Sequence, residues 1–86
     1  MGKTIGEKAL RVIQQIINDI GEFDKIKADR VMTYISLLVG ADDRTINSHL
    51  NKLEGWGLFI KIGDGYYKFD KDKYKKFKAI LNANKD

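Results

Sequence analysis

One hairpin signature in the second half of the chain restricts the fold more than any other feature. The segments Phe59–Ile62 and Tyr66–Phe69 have the alternating pattern of strands, and Gly63-Asp64-Gly65 joins them. A three-residue linker that contains glycine is typical of a hairpin loop. Three helical segments precede this hairpin and one follows it. We therefore expect an α+β fold that is mostly α-helical.

The four helical segments repeat apolar side chains at the three- and four-residue spacing of an amphipathic helix. They cover residues 6–20, 28–39, 43–54 and 71–83. Gly21 is placed to end the first helix, because glycine adopts the left-handed conformation that commonly follows a helix. Asp42 and Asp70 are placed to cap the third and fourth helices. Residues 22–26 are ambiguous and predict at most a short piece of strand.

The length and composition predict one domain covering residues 1–86, with no metal and no cofactor. The sequence has no cysteine and one histidine, His49, so we expect neither disulfides nor a Cys- or His-based metal site. It has no run of eighteen apolar residues and no signal-peptide start, so we expect a cytoplasmic protein without a membrane partner. The net charge of +4 permits an anionic partner, and the positive excess lies between Lys68 and Lys78.

The third predicted helix carries the most informative side chains. Ile46, Leu50 and Leu53 fall on one side and anchor the helix to the core. The other side carries Arg44, Thr45, Asn47, Ser48, Asn51 and Lys52. Arginine can donate two hydrogen bonds to guanine and asparagine can pair with adenine, whereas threonine and lysine suit phosphates. On this face alone, a DNA-reading surface and a plain solvent-facing surface remain equally open.

The segment 42–58, DDRTINSHLNKLEGWGL, resembles the recognition-helix segment of winged helix-turn-helix regulators. The shared features are a capped start, an Arg-Thr-aliphatic step at 44–46, two further leucines and a final Gly-Leu before the hairpin. The resemblance runs from the second helix to Phe69. It is at the level of the superfamily, and includes small archaeal, viral or plasmid regulators and bacterial MarR-like and PadR-like repressors. It implies a winged-helix fold and sequence-specific binding of double-stranded DNA.

The resemblance also implies which residues contact DNA. The major-groove positions are Arg44, Thr45, Asn47, Ser48, Asn51 and Lys52. The hairpin is the wing, with Lys61 and Lys68 available for the DNA backbone, and Lys27 and Arg30 would lie near a phosphate at the start of the second helix. Asp64 occupies the wing tip, where many relatives carry Arg or Lys. Its repulsion from phosphates predicts a wing that braces against the backbone without inserting into the minor groove.

Apolar side chains that need further cover suggest how the protein assembles. Leu37 widens the apolar stripe of the second helix, and the last helix carries Tyr74, Phe77, Ile80 and Leu81. These last four pack either on the first helix or across a dimer. Because one domain reads only a short site, we expect a homodimer on a palindromic site. The expected function is a dimeric transcriptional regulator, a repressor, and not an enzyme.

Two other functions stay open at this stage. The same chemistry serves a plasmid or viral DNA-binding protein of replication or partition, and winged helices also act as protein-interaction modules. His49 neighbours core leucines and lacks a partner for catalysis, so we expect it to have a structural or DNA-proximal role. Trp56 is expected to pack at the junction of helix and wing. The lysines at positions 71, 73, 75, 76 and 78 form either a nucleic-acid contact or a solvated helix face.

Overall fold

The computed structural model describes residues 5–83, which form four helices and a three-stranded antiparallel sheet. The elements are α1 (Ile5–Ile20), β1 (Lys25–Lys27), α2 (Ala28–Leu38), α3 (Asp43–Gly55), β2 (Phe59–Ile62), β3 (Tyr66–Phe69) and α4 (Lys71–Ala83). This arrangement confirms the predicted α+β class with mostly helical content, and it is compatible with a winged-helix layout. Each helix ends within one residue of its predicted bounds. No helix within residues 5–83 has both the length and the apolar character needed to cross a bilayer.

Local hydrogen bonds set the ends of the helices where the sequence predicts them. The carboxylate of Asp42 accepts from the backbone N–H of Thr45 at 3.1 Å, and that of Asp70 accepts from the N–H of Lys73 at 3.1 Å. Gly21, with φ of +80°, follows α1 and donates its N–H to the carbonyl of Ile17 at 2.8 Å. The predicted caps are therefore confirmed.

The turn after α3 directs the chain into the hairpin. The N–H of Gly57 donates to the carbonyl of Glu54 at 3.0 Å, and the N–H of Leu58 donates to that of Leu53 at 3.1 Å. This pair of bonds is a Schellman motif, with Gly57 in the left-handed position at φ of +76°. Leu58 is fully buried immediately afterwards. The motif thus ends the helix and aims the chain at β2.

The sheet has one more strand than the predicted hairpin. Its order is β1-β3-β2, with β3 in the centre. The sequence predicted at most a short piece of strand within residues 22–26, but the strand lies at Lys25–Lys27 and pairs along its whole length with β3. The predicted hairpin is confirmed, with Ile62 opposite Tyr66 across the loop. Asp64 and Gly65 have φ of 64° and 75°, as a tight loop requires.

The core lies between α1, α2, α3 and one face of the sheet. Its fully buried large side chains are Val12, Ile13, Ile16, Val31, Ile35, Leu53, Leu58 and Phe59. Phe69 stacks on Phe23 with ring centroids 4.6 Å apart and lies 5.4 Å from Phe59. Ile20, the last residue of α1, is 41% exposed.

The last helix packs within the chain, and every one of its residues is half-buried or exposed. Phe77 packs on Trp56 with ring centroids 4.7 Å apart, which confirms the predicted packing role of Trp56. Leu81 approaches α1 so closely that a Cβ added to Gly6 would lie 3.2 Å from its Cδ2 atom. Phe77 and Leu81 therefore pack on the first helix, as one of the two predicted alternatives has it. Ile80 nevertheless stays 59% exposed.

Candidate nucleic-acid interface

The third helix has two chemically distinct sides. His49, Leu50 and Leu53 are buried on the side that faces the core. The opposite side, called here the α3 outer face, consists of the exposed residues Arg44, Asn47, Ser48, Asn51 and Lys52. At 100° per residue these five positions span an arc of about 140°. The structure therefore brings five of the six predicted major-groove residues together on one exposed surface.

The side chains of the α3 outer face are free of partners in the part of the chain that the structure describes. Within residues 5–83, none of the five forms a hydrogen bond or an ion pair. The acidic residue nearest to them toward the end of the helix, Glu54, accepts a hydrogen bond from the hydroxyl of Tyr67 at 2.9 Å. That bond ties its carboxylate to β3. The α3 outer face therefore offers several donors and acceptors, and the nearby Glu54 carboxylate is engaged by Tyr67.

Thr45 differs from the other predicted contacts. Its hydroxyl donates to the Oδ1 atom of Asp42 at 2.7 Å, while its backbone N–H donates to Oδ2. The hydroxyl bond, followed by the backbone bond, lowers the pKa of Asp42 because both stabilise the charged carboxylate. The hydroxyl proton of Thr45 is thus used inside the cap. The sequence predicts a phosphate contact for this hydroxyl and does not indicate the bond to Asp42.

His49 lies under the α3 outer face, in the core. It is 5% exposed, and its Nδ1 atom has no hydrogen-bond partner within residues 5–83. Burial, and after it the positive charge of Lys8, lowers the pKa of the imidazole. Both causes disfavour the charged form, so the buried ring is neutral near pH 7. Its burial confirms the predicted position beside the core leucines.

The two predicted wing lysines lie on opposite faces of the sheet. Lys61 pairs across the strands with Tyr67, whereas Lys68 pairs with Ile60 on one side and Lys25 on the other. Tyr67 is buried and reaches α3, where burial and then its bond to Glu54 raise the pKa of its hydroxyl to about 12. Because side chains alternate along a strand, Lys61 shares the α3 side and Lys68 the opposite side. One flat surface cannot contact both.

Lys27 and Arg30 occupy a surface of mixed charge. Lys27 ends β1 and precedes α2, and Arg30 lies in the first turn of that helix; both are exposed. They line a shallow depression together with Asp19, Asp29, Thr33, Tyr34 and Leu37. The hydroxyl of Tyr34 donates to Asp19 at 2.7 Å there. The carboxylates of Asp19 and Asp29 make this part of the predicted interface less basic than Lys27 and Arg30 alone would make it.

Sequence reasoning missed one basic residue, Lys25. It lies on β1 directly opposite Lys68, and its Nζ atom is 5.3 Å from the centroid of the Tyr66 ring. Its place beside Lys68 depends on the pairing of β1 with β3, which joins segments about forty residues apart. No local pattern signals such a pairing. Only the sheet register places Lys25 next to a predicted contact.

Two further observations concern metal-ligand clusters among the described residues and likeness to known proteins. Residues 5–83 contain no group of three or more His, Cys, Asp or Glu side chains that could hold a metal ion. In comparisons with known proteins, no family model, no curated protein and no solved structure matches the chain. The functional interpretation therefore depends on the chemistry of the α3 outer face and of the sheet.

Proposed function

We propose that this protein is a sequence-specific double-stranded DNA-binding protein of the winged-helix type, with α3 in the major groove. The observation that carries the proposal is the α3 outer face. Arg44 can donate two hydrogen bonds to O6 and N7 of guanine, and Asn47 or Asn51 can pair with N6 and N7 of adenine. Ser48 is small enough to allow close approach. These groups have no internal partner within residues 5–83, so binding a base breaks no bond of the protein.

The way α3 is held supports the same proposal. Its 13 residues make a rod about 20 Å long, which suits a major groove about 12 Å wide. Leu50 and Leu53 anchor one side in the core, and the Schellman turn at Gly57 holds the end. A rigid helix loses little conformational freedom when it binds, so its donors are already in place.

We also propose that the protein acts as a homodimer on a palindromic site, as a transcriptional repressor. A single α3 reads only a few base pairs, and a two-fold dimer doubles the site that is read. Leu37 is 76% exposed and Ile80 59% exposed, and a second subunit would cover such side chains. A plasmid or viral protein of replication or partition would use the same surface on DNA.

The same exposed apolar side chains favour a second candidate function, a winged-helix module that binds another protein. The two functions differ in what they require of the α3 outer face. A DNA reader needs its unpaired Arg and Asn groups, whereas an interaction module needs the apolar residues Leu37 and Ile80. DNA binding has the broader support, because five polar residues converge on one surface while these two apolar residues lie on separate helices.

Selection of bound duplexes from a random pool tests the proposal. We expect an enriched palindrome whose half-sites are about 10 base pairs apart or a multiple of that, as two copies of α3 on a two-fold axis require. An enriched site without symmetry would contradict the dimer and keep the DNA reader. Absence of enrichment, together with absence of duplex binding at low salt, would contradict DNA binding and favour the interaction module.

A further inference from the structure

The face of the sheet that is turned away from α3 carries a separate group of basic side chains. This surface, called here the outer sheet face, consists of two rows across the three strands: Lys25, Lys68 and Ile60, then Lys27, Tyr66 and Ile62. The three lysines are exposed, as are Ile60 and Ile62 at 44% and 37%. Positive charge thus lies on β1 and β3, and apolar surface borders it on β2.

The register brings two of these lysines side by side. The N–H of Phe69 donates to the carbonyl of Asp24, and the N–H of Ala28 donates to that of Gly65, both at 2.8 Å. In an antiparallel ladder, bonded and non-bonded pairs alternate, so Lys25 and Lys68 form a non-bonded pair. Their Cα atoms are then about 4.5 Å apart, the closest approach that neighbouring strands offer.

No carboxylate forms an ion pair with Lys25 or Lys68 within residues 5–83, although Asp24, Asp70 and Asp72 line a shallow depression beside Lys68. Asp24 adjoins Lys25 in the sequence, but it pairs with Lys71 at 3.1 Å. The carboxylate of Asp70 is used to cap α4. The ring of Tyr66 attracts the Lys25 ammonium only weakly, at 5.3 Å from its centroid. Like charges directly opposite each other destabilise a sheet, and an anion bound above them would relieve that repulsion.

We propose that the outer sheet face is a second contact surface for a nucleic-acid phosphate backbone, with Lys25, Lys27 and Lys68 as its contacts. The inference rests on the proposed function and adds to it a surface that does not include α3. A backbone supplies closely spaced negative charges to match lysines that recur along and across the strands. Since the surface offers ammonium groups and no bidentate reader, it contributes affinity and no base preference. Lys61, on the other face, lies outside it.

Salt-dependent binding to a duplex tests this assignment. Fluorescence anisotropy of a labelled duplex is measured from 50 to 300 mM KCl for the wild type, Lys25→Gln, Lys68→Gln and the double variant. Lys8→Gln is the matched control, because it removes the same charge from an exposed position on α1 that is assigned no contact with DNA. We expect each single variant to lower the slope of log K against log salt by about 1. Binding should weaken about eightfold at 0.1 M salt, equally for all sequences.

Each outcome decides a different claim. If Lys25→Gln and Lys68→Gln have the same slope as Lys8→Gln, while the wild type binds the duplex and Arg44→Ala binds its selected site more weakly, the outer sheet face makes no contact with DNA and the proposed function stands. If the wild type does not bind duplex DNA at low salt, both proposals are wrong. Circular dichroism of each variant confirms that an exposed lysine has been replaced without loss of fold.

Discussion

The α3 outer face and the outer sheet face both expose basic side chains, but they differ in the chemistry that they offer. The α3 outer face combines one arginine, two asparagines, one serine and one lysine on a helix that is anchored in the core. The outer sheet face offers three lysines, one tyrosine and two isoleucines. Arginine and asparagine have fixed, directional donors and acceptors, whereas an ammonium group acts as a point charge. The comparison separates a surface suited to reading bases from one suited to binding phosphates.

The largest expected effect is a loss of stability when a side chain that anchors α3 in the core is truncated. Leu53 is fully buried between α3 and the core, so Leu53→Ala should lower the free energy of unfolding by about 2–5 kcal/mol. Chemical denaturation measures the change. Leu37→Ala is the matched control, because Leu37 is 76% exposed and its truncation should change stability by less than about 0.5 kcal/mol. Equal losses in the two variants would contradict the burial of the inner side of α3.

Arg44→Ala tests whether Arg44 reads a base or only contacts a phosphate. If Arg44 reads a guanine, the variant should lose about 1–3 kcal/mol of binding free energy on the selected site. On an unrelated duplex it should lose no more binding free energy than the control Lys8→Ala does. Anisotropy titrations on both duplexes measure the two losses. An equal loss on both duplexes would make Arg44 a phosphate contact and would remove the distinction between the two faces.

Tyr67→Phe addresses the bond that joins α3 to the inner face of the sheet. The hydroxyl of Tyr67 donates to Glu54 at 2.9 Å, so its removal should cost about 1 kcal/mol of unfolding free energy. Tyr66→Phe is the control, since Tyr66 lies on the outer sheet face and its hydroxyl makes no hydrogen bond within residues 5–83. Denaturant midpoints measure both. If the two variants are equally stable, the bond between α3 and β3 contributes nothing to stability.

The smallest effect is a pH dependence confined to α3. The pKa of His49 is lowered in the folded chain, by burial first and by Lys8 second, so the unfolded chain binds the proton more readily. The contribution of His49 is therefore fully present above its unfolded pKa of about 6.5, and stability falls as the pH drops below that value. Denaturation between pH 7.5 and 5.5 measures the slope.

His49→Leu is the variant that assigns this slope. It removes the titrating group and keeps an apolar side chain in the core, so the dependence on pH in this range should disappear. The three strands of the sheet contain no histidine, and no residue of the outer sheet face should contribute to the slope. A slope that survives in His49→Leu would show that another group titrates there.

Most of the helical structure could be predicted from the sequence, because its determinants lie within a few residues of one another. The apolar spacing of α1 and α3 and the capping carboxylates Asp42 and Asp70 act over at most one turn. The same locality made the α3 outer face predictable, since positions 44, 48 and 51 share one side of any helix. The Thr45 hydroxyl can bond either to Asp42 or to a phosphate, and the sequence does not indicate which. The predicted DNA contact of Thr45 was therefore a choice that only the structure could test.

The sheet shows the limit of this reasoning. Side chains alternate between the two faces of a strand, so the position of the three-residue loop already puts Lys61 and Lys68 on opposite faces of the hairpin. The sequence therefore contained this information. The strand β1 gave no comparable signal, because three residues are too few to show a period. Its pairing with β3 was therefore not predicted, and neither was the place of Lys25 opposite Lys68.

By itself, the sequence determined four helices, their caps, one hairpin and the polar face of α3, because contacts between near neighbours along the chain set each of these. Only the tertiary structure decided that β1 becomes an edge strand, that α4 folds back on α1 and that Lys25 faces Lys68. Those features join segments that are distant in the chain. They depend on which apolar surfaces cover one another, which no local pattern specifies.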